Sequence, residues 1–187
     1  MKELEEKILK DGVVINDEIM KVDSFLNHQI DINTINEVGK DIAKQYPTAN
    51  KVVTIETSGI AIAYATCLAL NNCPLVFAKK QASKITGNNN YVAKVKSFTK
   101  GTVYDVTIDR NYLKKGDKVV IVDDFLAGGN AGCGLIDLIN QSEAEIVGFA
   151  AAVEKGFQGG REAIESKGVK VYSCACVKEF KNNKPVF

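Results

Sequence analysis

Histidine occurs once, at His28, and no Cys-x-x-Cys pair occurs in the chain. The five cysteines, Cys67, Cys73, Cys133, Cys174 and Cys176, are an odd number. Neither a disulfide framework nor a zinc site is expected, and the thiols read as the reduced thiols of a cytosol. Cys174 and Cys176 would share one face of a strand, as a metal or redox pair would. With no further ligands nearby, packing in or near a core is the better reading. Long apolar runs are also missing. The longest nearly apolar stretch, Ile60–Leu70, is about half of the ~20 residues a bilayer core requires. The opening Met1-Lys-Glu-Leu-Glu-Glu-Lys7 carries acids where a signal peptide would be basic and then apolar. Neither sign of charge dominates: 24 Lys and Arg against 23 Asp and Glu leave a formal +1. No global field points to nucleic acid or to an acidic membrane, so any anion must be held by a local site.

What the chain does have is 187 residues, 45% apolar and 25% charged, the make-up of a globular domain with a sizeable core. A single domain over 1–187 is expected. The spacing of Leu4, Ile8 and Leu9 predicts a helix over Lys2–Lys10, closed by a left-handed cap at Gly12. Val13–Ile30 fits neither period. A second helix is predicted to start after Asp31 or Asn33 and to stop before Pro47. From Lys51 the pattern alternates: strand Lys51–Ile55, turn Glu56–Gly59, helix Ile60–Leu70, strand Pro74–Ala78. It resumes with strand Lys118–Val122, a glycine-rich turn, helix Ala131–Gln141, strand Glu145–Val153, helix Arg161–Lys167 and strand Val169–Val177. Such alternation predicts an α/β fold, a mostly parallel twisted sheet with right-handed crossovers, flanked by helices. Two additions surround that core. Residues 1–45 form a small N-terminal hood. An 81–108 insert has a polar, mobile tip at Gln81–Asn90 and a hairpin of Tyr91–Thr99 and Thr102–Ile108 around Lys100-Gly101.

Ligands of such sheets collect outside the carboxyl ends of the strands. Three turns lie at that edge: Glu56–Gly59, Asp123–Ala131 and Glu154–Phe157. The middle one carries most. Val119–Val122 is an apolar strand running straight into Asp123-Asp124, and two carboxylates there are costly unless solvent, hydroxyls or a cation meets them. Then come Phe125-Leu-Ala127-Gly128-Gly129-Asn130-Ala131 and a helix, whose free N–H groups and dipole suit a phosphate. The turn is not a P-loop, since no Lys-[Ser/Thr] follows the glycines, and it is not G-x-G-x-x-G. Glycine-rich strand-to-helix turns also occur in α/β proteins with no ligand there. What distinguishes this one is the acid pair beside the cradle: carboxylates for vicinal ribose hydroxyls, a loop for a 5′-phosphate. Thr57, Ser58 and Gly59 form a short turn suited to pyrophosphate, or equally a plain connection capped by Ser58. Lys79, Lys80 and Lys84 could reach pyrophosphate, or serve as surface charges. His28, beside Asn27, reads as a structural side chain and not as a general base.

Val119–Ala131, VVIVDDFLAGGNA, resembles the phosphoribosyl-pyrophosphate motif of the type I phosphoribosyltransferases. Val22–Asp31 (VDSFLNHQID), Val53–Ile60 (VTIETSGI), Ser97-Phe-Thr-Lys100 and Glu154-Lys-Gly-Phe157 extend the likeness to the bacterial xanthine phosphoribosyltransferases over essentially the whole chain. The resemblance implies a type I phosphoribosyltransferase fold and transfer of ribose 5-phosphate from 5-phospho-α-D-ribose 1-diphosphate (PRPP) to xanthine, in purine salvage. It also implies a cytoplasmic homodimer that uses Mg²⁺ borne mainly by PRPP, with no metal held by the protein itself, no nucleic acid and no membrane. By position, Ala127, Gly128, Gly129, Asn130 and Ala131 would hold the 5′-phosphate, and Asp123 and Asp124 would face the ribose. Thr57, Ser58, Gly59 and Lys80 would meet the pyrophosphate. Met20, Asn27 and Lys155 would touch the base. Position 20 is leucine in a relative of that family, a swap that conserves volume. The loop reads Gly-Gly-Asn where that relative has Asn-Gly-Gln. The hypoxanthine–guanine enzymes place an acid where Ala127 stands, so this chain needs another proton acceptor or an already acidic base. Guanine, hypoxanthine or adenine transfer is the competing enzyme reading. A nucleotide-sensing regulator on the same fold is the competing class, but no basic face or extra DNA-binding domain supports it.

Overall fold

The computed structural model describes residues 1–80, 89–96 and 102–187. Residues 81–88 of the expected tip Gln81–Asn90, the Ser97–Lys100 match, Lys84 and the Lys100-Gly101 turn lie outside the described residues. Helix α1 (Lys2–Asp11) buries Leu4 and Ile8, and the Met1 amino group donates to the Cys174 carbonyl. Gly12 is not the left-handed cap its position suggested. Its backbone is extended (φ −79°, ψ 152°) while its N–H still bonds the Ile8 carbonyl, because the chain passes directly into a strand. Strands β1 (Val13–Ile15) and β2 (Ile19–Lys21) pair antiparallel, and a single π-turn follows at Asp23–Asn27. Three-residue strands and one turn are too short for any period to show, which is why Val13–Ile30 reads as irregular.

Helix α2 (Ile32–Gln45) starts at a true cap. Asp31 Oδ1 accepts from the N–H groups of Asn33 and Thr34 at 3.1 and 3.2 Å. Strand β3 (Lys51–Ile55), helix α3 (Gly59–Ala69) and strand β4 (Leu75–Ala78) form the first crossover. Gly39 lets α2 lie directly on α3: a Cβ there would fall 2.5 Å from the Ala65 carbonyl carbon. Strands β5 (Asn90–Lys96) and β6 (Val103–Asp109) make the expected hairpin. Then follow β7 (Lys118–Leu126), α4 (Asn130–Asn140), β8 (Glu145–Lys155), α5 (Gly160–Glu165) and β9 (Val171–Val177). A last hairpin, β10 (Glu179–Lys181) and β11 (Lys184–Val186), turns at Asn182 and Asn183, both at positive φ.

The central sheet has the order β4-β3-β7-β8-β9, and every pairing in it is parallel. Its two faces carry separate cores. Leu4, Ile8, Ile35, Ile42, Ile62, Val120 and Val122 belong to the α1–α2–α3 side. Val106, Leu135, Ile164, Val119 and Ile121 belong to the side covered by α4, α5 and the β5–β6 hairpin. Alternate residues of β7 thus enter opposite cores, which is why the strand reads as an unbroken apolar run. That strand continues beyond the expected Val122, through Asp123 and Asp124 to Leu126. Its neighbour β8 holds the register, with Asp123 opposite Ala151 and Leu126 opposite Glu154. The hood is closed at both chain ends: the N–H of Asp17 donates to Asn183 Oδ1 and the N–H of Asn183 to Asp17 Oδ1, at 3.1 and 2.6 Å.

Candidate active site

The β7–α4 connection forms the centre of a cleft of about 340 Å³ at the carboxyl edge of the sheet. Gly129 sits in the left-handed region (φ 78°) immediately before α4, and its carbonyl accepts the N–H of Cys133 at 2.8 Å. A Cβ at Gly129 would meet the Gly160 carbonyl oxygen at 3.0 Å and the Ala163 Cβ at 3.2 Å. Only glycine combines that φ with that approach. Ala127, Gly128, Gly129, Asn130 and Ala131 all line the cleft, at the positive end of an 11-residue helix, which attracts an anion.

Asp123 and Asp124 differ sharply. Asp123 is buried, and its Oδ1 accepts the N–H of Asp124 at 3.0 Å. Burial first, and the neighbouring Asp124 charge second, push its carboxyl well above the ordinary carboxylate range, while Lys80 pulls the other way. Asp124 is half-buried. With the Asn27 amide assigned so that its nitrogen faces the surrounding acceptors, it donates to Asp124 Oδ2 at 3.0 Å and to the Leu26 carbonyl at 3.3 Å.

Opposite the loop lies the turn between β3 and α3. Glu56, Thr57, Ser58 and Gly59 all line the cleft, as does Lys80. The Glu56–Thr57 peptide is cis. Ser58 makes no capping bond with its side chain, so its hydroxyl is not spent on the helix. Gly59 allows α3 to begin against the acid pair: a Cβ there would lie 2.5 Å from Thr54 Oγ1 and 2.9 Å from Asp123 Oδ1. Glu56 Oε1 accepts the Lys80 N–H at 2.6 Å. Lys80 Nζ stands 6.0 Å from the centre of the Tyr104 ring, which lines the same cleft. Lys79 faces a different groove, outside β4, with Leu75, Phe77 and Tyr112.

The third group gathers at the end of β8. Lys155 Nζ lies 5.9 Å from the Phe125 ring centre and 5.8 Å from that of Phe180, and Phe157 packs edge-on against Phe180 at 5.2 Å. Burial holds the Lys155 ammonium below its ordinary pKa. Met20 is buried in the apolar cluster against which Phe125 and Phe180 also pack. None of Met20, Asn27 and Lys155 lines the cleft itself; Asn27 and Lys155 stand one layer out, against the lining residues Asp124 and Phe125. His28 is exposed, with its N–H on the Asp23 carbonyl.

Comparison with known proteins settles the kinship. The phosphoribosyl transferase domain family matches residues 21–184. The chain belongs to that family. Among curated proteins it is 47% identical, over the whole of both chains, to xanthine phosphoribosyltransferase 2 of Clostridium botulinum. It is 45% identical, again over the whole of both, to the xanthine phosphoribosyltransferase of Clostridioides difficile. The adenine phosphoribosyltransferase of Rhodothermus marinus has the same fold (TM-score 0.76, 18% identity, 95% of this chain and 100% of that one).

Several features of this phosphoribosyltransferase are not legible in its sequence. Phe180 reaches the Lys155 end from a hairpin whose strands have three residues each; the only signal is Asn182-Asn183, a pair suited to a two-residue hairpin turn. Tyr104 enters the cleft from the insert, and the sequence marks it only as one β-type residue among several. Two buried side-chain oxygens among the described residues have no partner, Thr54 Oγ1 and Gln158 Oε1. Thr54 lies near the end of β3, and Gln158 in the short 3-10 turn Gly156–Gln158 that follows β8.

Proposed function

We propose that the chain is a xanthine phosphoribosyltransferase of purine salvage, transferring ribose 5-phosphate from PRPP to xanthine to give XMP and diphosphate. One observation carries the reading: the acid pair Asp123-Asp124 and the glycine-bearing helix N-terminus share a cleft with the Glu56–Gly59 turn. An acid pair sharing a cleft with two turns suited to anions supports a ribose carrying a phosphate group at each end. The full-length likeness to xanthine phosphoribosyltransferases supports xanthine as the base.

In the transfer the C1′–O bond to pyrophosphate breaks and a C1′–N bond to the base forms. Positive charge builds on the ribose and negative charge on the leaving group, so fixed charges and dipoles do most of the work. Ala127–Ala131 hold the 5′-phosphate at the start of α4. Asp124 accepts from the ribose hydroxyls and favours the developing cation. Asp123, more deeply buried, supports the Gly59 end of the pyrophosphate turn, where Thr57, Ser58, Gly59 and Lys80 take the leaving group. PRPP brings Mg²⁺ as its complex. Substrate oxygens and water would supply most of that ion's ligands, with the hard carboxylates of Asp123 and Asp124 suited to approach it, and the ion would neutralise pyrophosphate charge. Lys155 meets the base, favouring negative charge on a 6-oxo purine, and Met20 backs that end of the site.

Guanine is the second reading, and Asn27 favours it. With its N–H groups on Asp124 and Leu26, Asn27 keeps its carbonyl oxygen for the ligand, an acceptor that suits the 2-amino group of guanine. Pyrophosphate release from PRPP, measured with each purine in turn, tests the reading. Xanthine is expected first, guanine weaker, hypoxanthine weaker still and adenine negligible. Adenine turned over as fast as xanthine would sink it. The reading carries a cytoplasmic homodimer as well, checked by the mass of the particle in solution. No helix among the described residues is long and apolar enough to cross a membrane.

A further inference from the structure

Glu154 and Arg161 take no part in the transfer, yet their contacts are among the closest near the cleft. Glu154 has 2% of its side chain exposed. Its carboxylate accepts from Arg161 Nε at 3.0 Å, from Arg161 Nη2 at 2.5 Å and from Ser173 Oγ at 2.6 Å. Arg161 Nη1 donates to the Val171 carbonyl at 2.9 Å and to Glu165 Oε1 at 3.4 Å. One guanidinium therefore joins the end of β8, the start of α5 and β9.

Each partner stands next to one end of the site. Glu154 directly precedes Lys155. Arg161 directly follows Gly160, which lies so close to the phosphate loop that a Cβ would fall 2.1 Å from the Ala127 carbonyl oxygen. Gly129 abuts the Gly160 carbonyl and Ala163 from the other side, and Cys133 Sγ reaches the Ala163 carbonyl at 3.7 Å. With six residues, α5 is far too short to hold its own place. Its position comes from its anchors: Ile164 in the core and Arg161 on Glu154.

We infer that the Glu154–Arg161 pair is a positioning device that sets the distance between the base end of the site, at Lys155, and the 5′-phosphate loop, at Ala127–Ala131. The inference rests on the site reading given above. A nucleotide has a fixed length, so it gains from both ends only when their separation matches, whereas a fragment feels only its own end. The pair thus acts on the whole nucleotide and leaves its parts nearly untouched.

The experiment measures dissociation constants of XMP, ribose 5-phosphate and xanthine for the full chain by calorimetry. Arg161→Met strands a buried carboxylate and can unfold the protein. A Glu154→Gln/Arg161→Gln double variant, which removes both charges and keeps hydrogen bonding, is therefore measured beside it. XMP is expected to bind at least tenfold more weakly to the folded variants, with ribose 5-phosphate and xanthine within twofold of wild type. Arg161→Lys, which keeps the charge without the fork, should restore part of the XMP affinity. Equal losses for ribose 5-phosphate and XMP would mean local damage to the loop and would overturn the inference. So would a lowered melting temperature with all three affinities unchanged, the signature of a merely structural pair. A wild-type chain that bound neither ribose 5-phosphate nor XMP would instead strike down the site reading, and this inference with it.

Discussion

Lys155 keeps its ammonium in a half-buried place between two aromatic faces, and burial makes that charge easier to lose than the ordinary value of 10.5 implies. If the ammonium holds the base, kcat/KM for xanthine should fall along an alkaline limb that sits below that ordinary value, and Lys155→Arg should push the limb out of range. A limb unmoved by Lys155→Arg would belong to another group. Asp123 gives a prediction of opposite flavour, about stability. Its carboxyl pKa is raised in the folded chain by burial and by Asp124. The neutral form therefore contributes stability in full below the unfolded value of 3.8, and this contribution is lost as pH rises through the raised folded value. As pH rises through that raised value, the buried charge becomes a cost to the fold. Asp123→Asn should raise the melting temperature of the ligand-free chain near neutrality by roughly 2–4 °C, a gain that vanishes in acid, while turnover collapses. Melting curves at neutral and acid pH check the sign.

The β7–α4 loop is where backbone conformation and packing impose the same requirement. Gly129→Val places a branched side chain at φ 78° and against the Gly160 carbonyl and Ala163. The loop must then move, and PRPP affinity should fall at least about tenfold, which ~1.4 kcal/mol of misfit achieves, with the far-ultraviolet circular dichroism unchanged. Unchanged affinity in a titration of the folded variant would remove the loop from the site. Much of this element is legible in the sequence, because an apolar run, two acids and paired glycines before a helix each have a mechanical meaning there. The extension of β7 to Leu126 is not, since Asp-Asp argues against strand and only the register with β8 holds it extended. The Asn27–Asp124 bond is equally silent: it joins a π-turn to a distant strand, and no local pattern encodes such a meeting. Glu154 and Arg161 are both visible as charges seven residues apart, but a turn separates them and neither helical nor strand spacing pairs them.

For the molecule as a whole, the question is whether the hood is a separate unit or part of the core. Residues 1–45 look like an addition in the sequence because their elements are short or irregular. In the fold, however, Leu4, Ile8, Val22, Phe25, Val38 and Ile42 share one buried cluster with Val52, Val120, Ala150 and Cys174 of the central sheet. Alpha helix α1 touches β9 through the Met1 amino group on the Cys174 carbonyl, and the β1–β2 hairpin is tied to the C-terminal hairpin by Asp17 and Asn183. The buried faces of the hood thus belong to the main core, while Val13, Ile15 and Ile19 leave the outer face of the β1–β2 hairpin apolar and exposed. The chain should therefore unfold as one cooperative unit, with secondary structure, tyrosine environment and PRPP binding lost at one temperature. Leu4→Ala tests this far from the cleft. Leu4 is fully buried, so the truncation should cost ~2–5 kcal/mol, and at roughly 2–4 °C per kcal/mol it should lower that shared midpoint by roughly 4–20 °C. All three probes must move together. A variant in which the helical signal melted early, while PRPP remained bound at the wild-type temperature, would mark residues 1–45 as an independent domain.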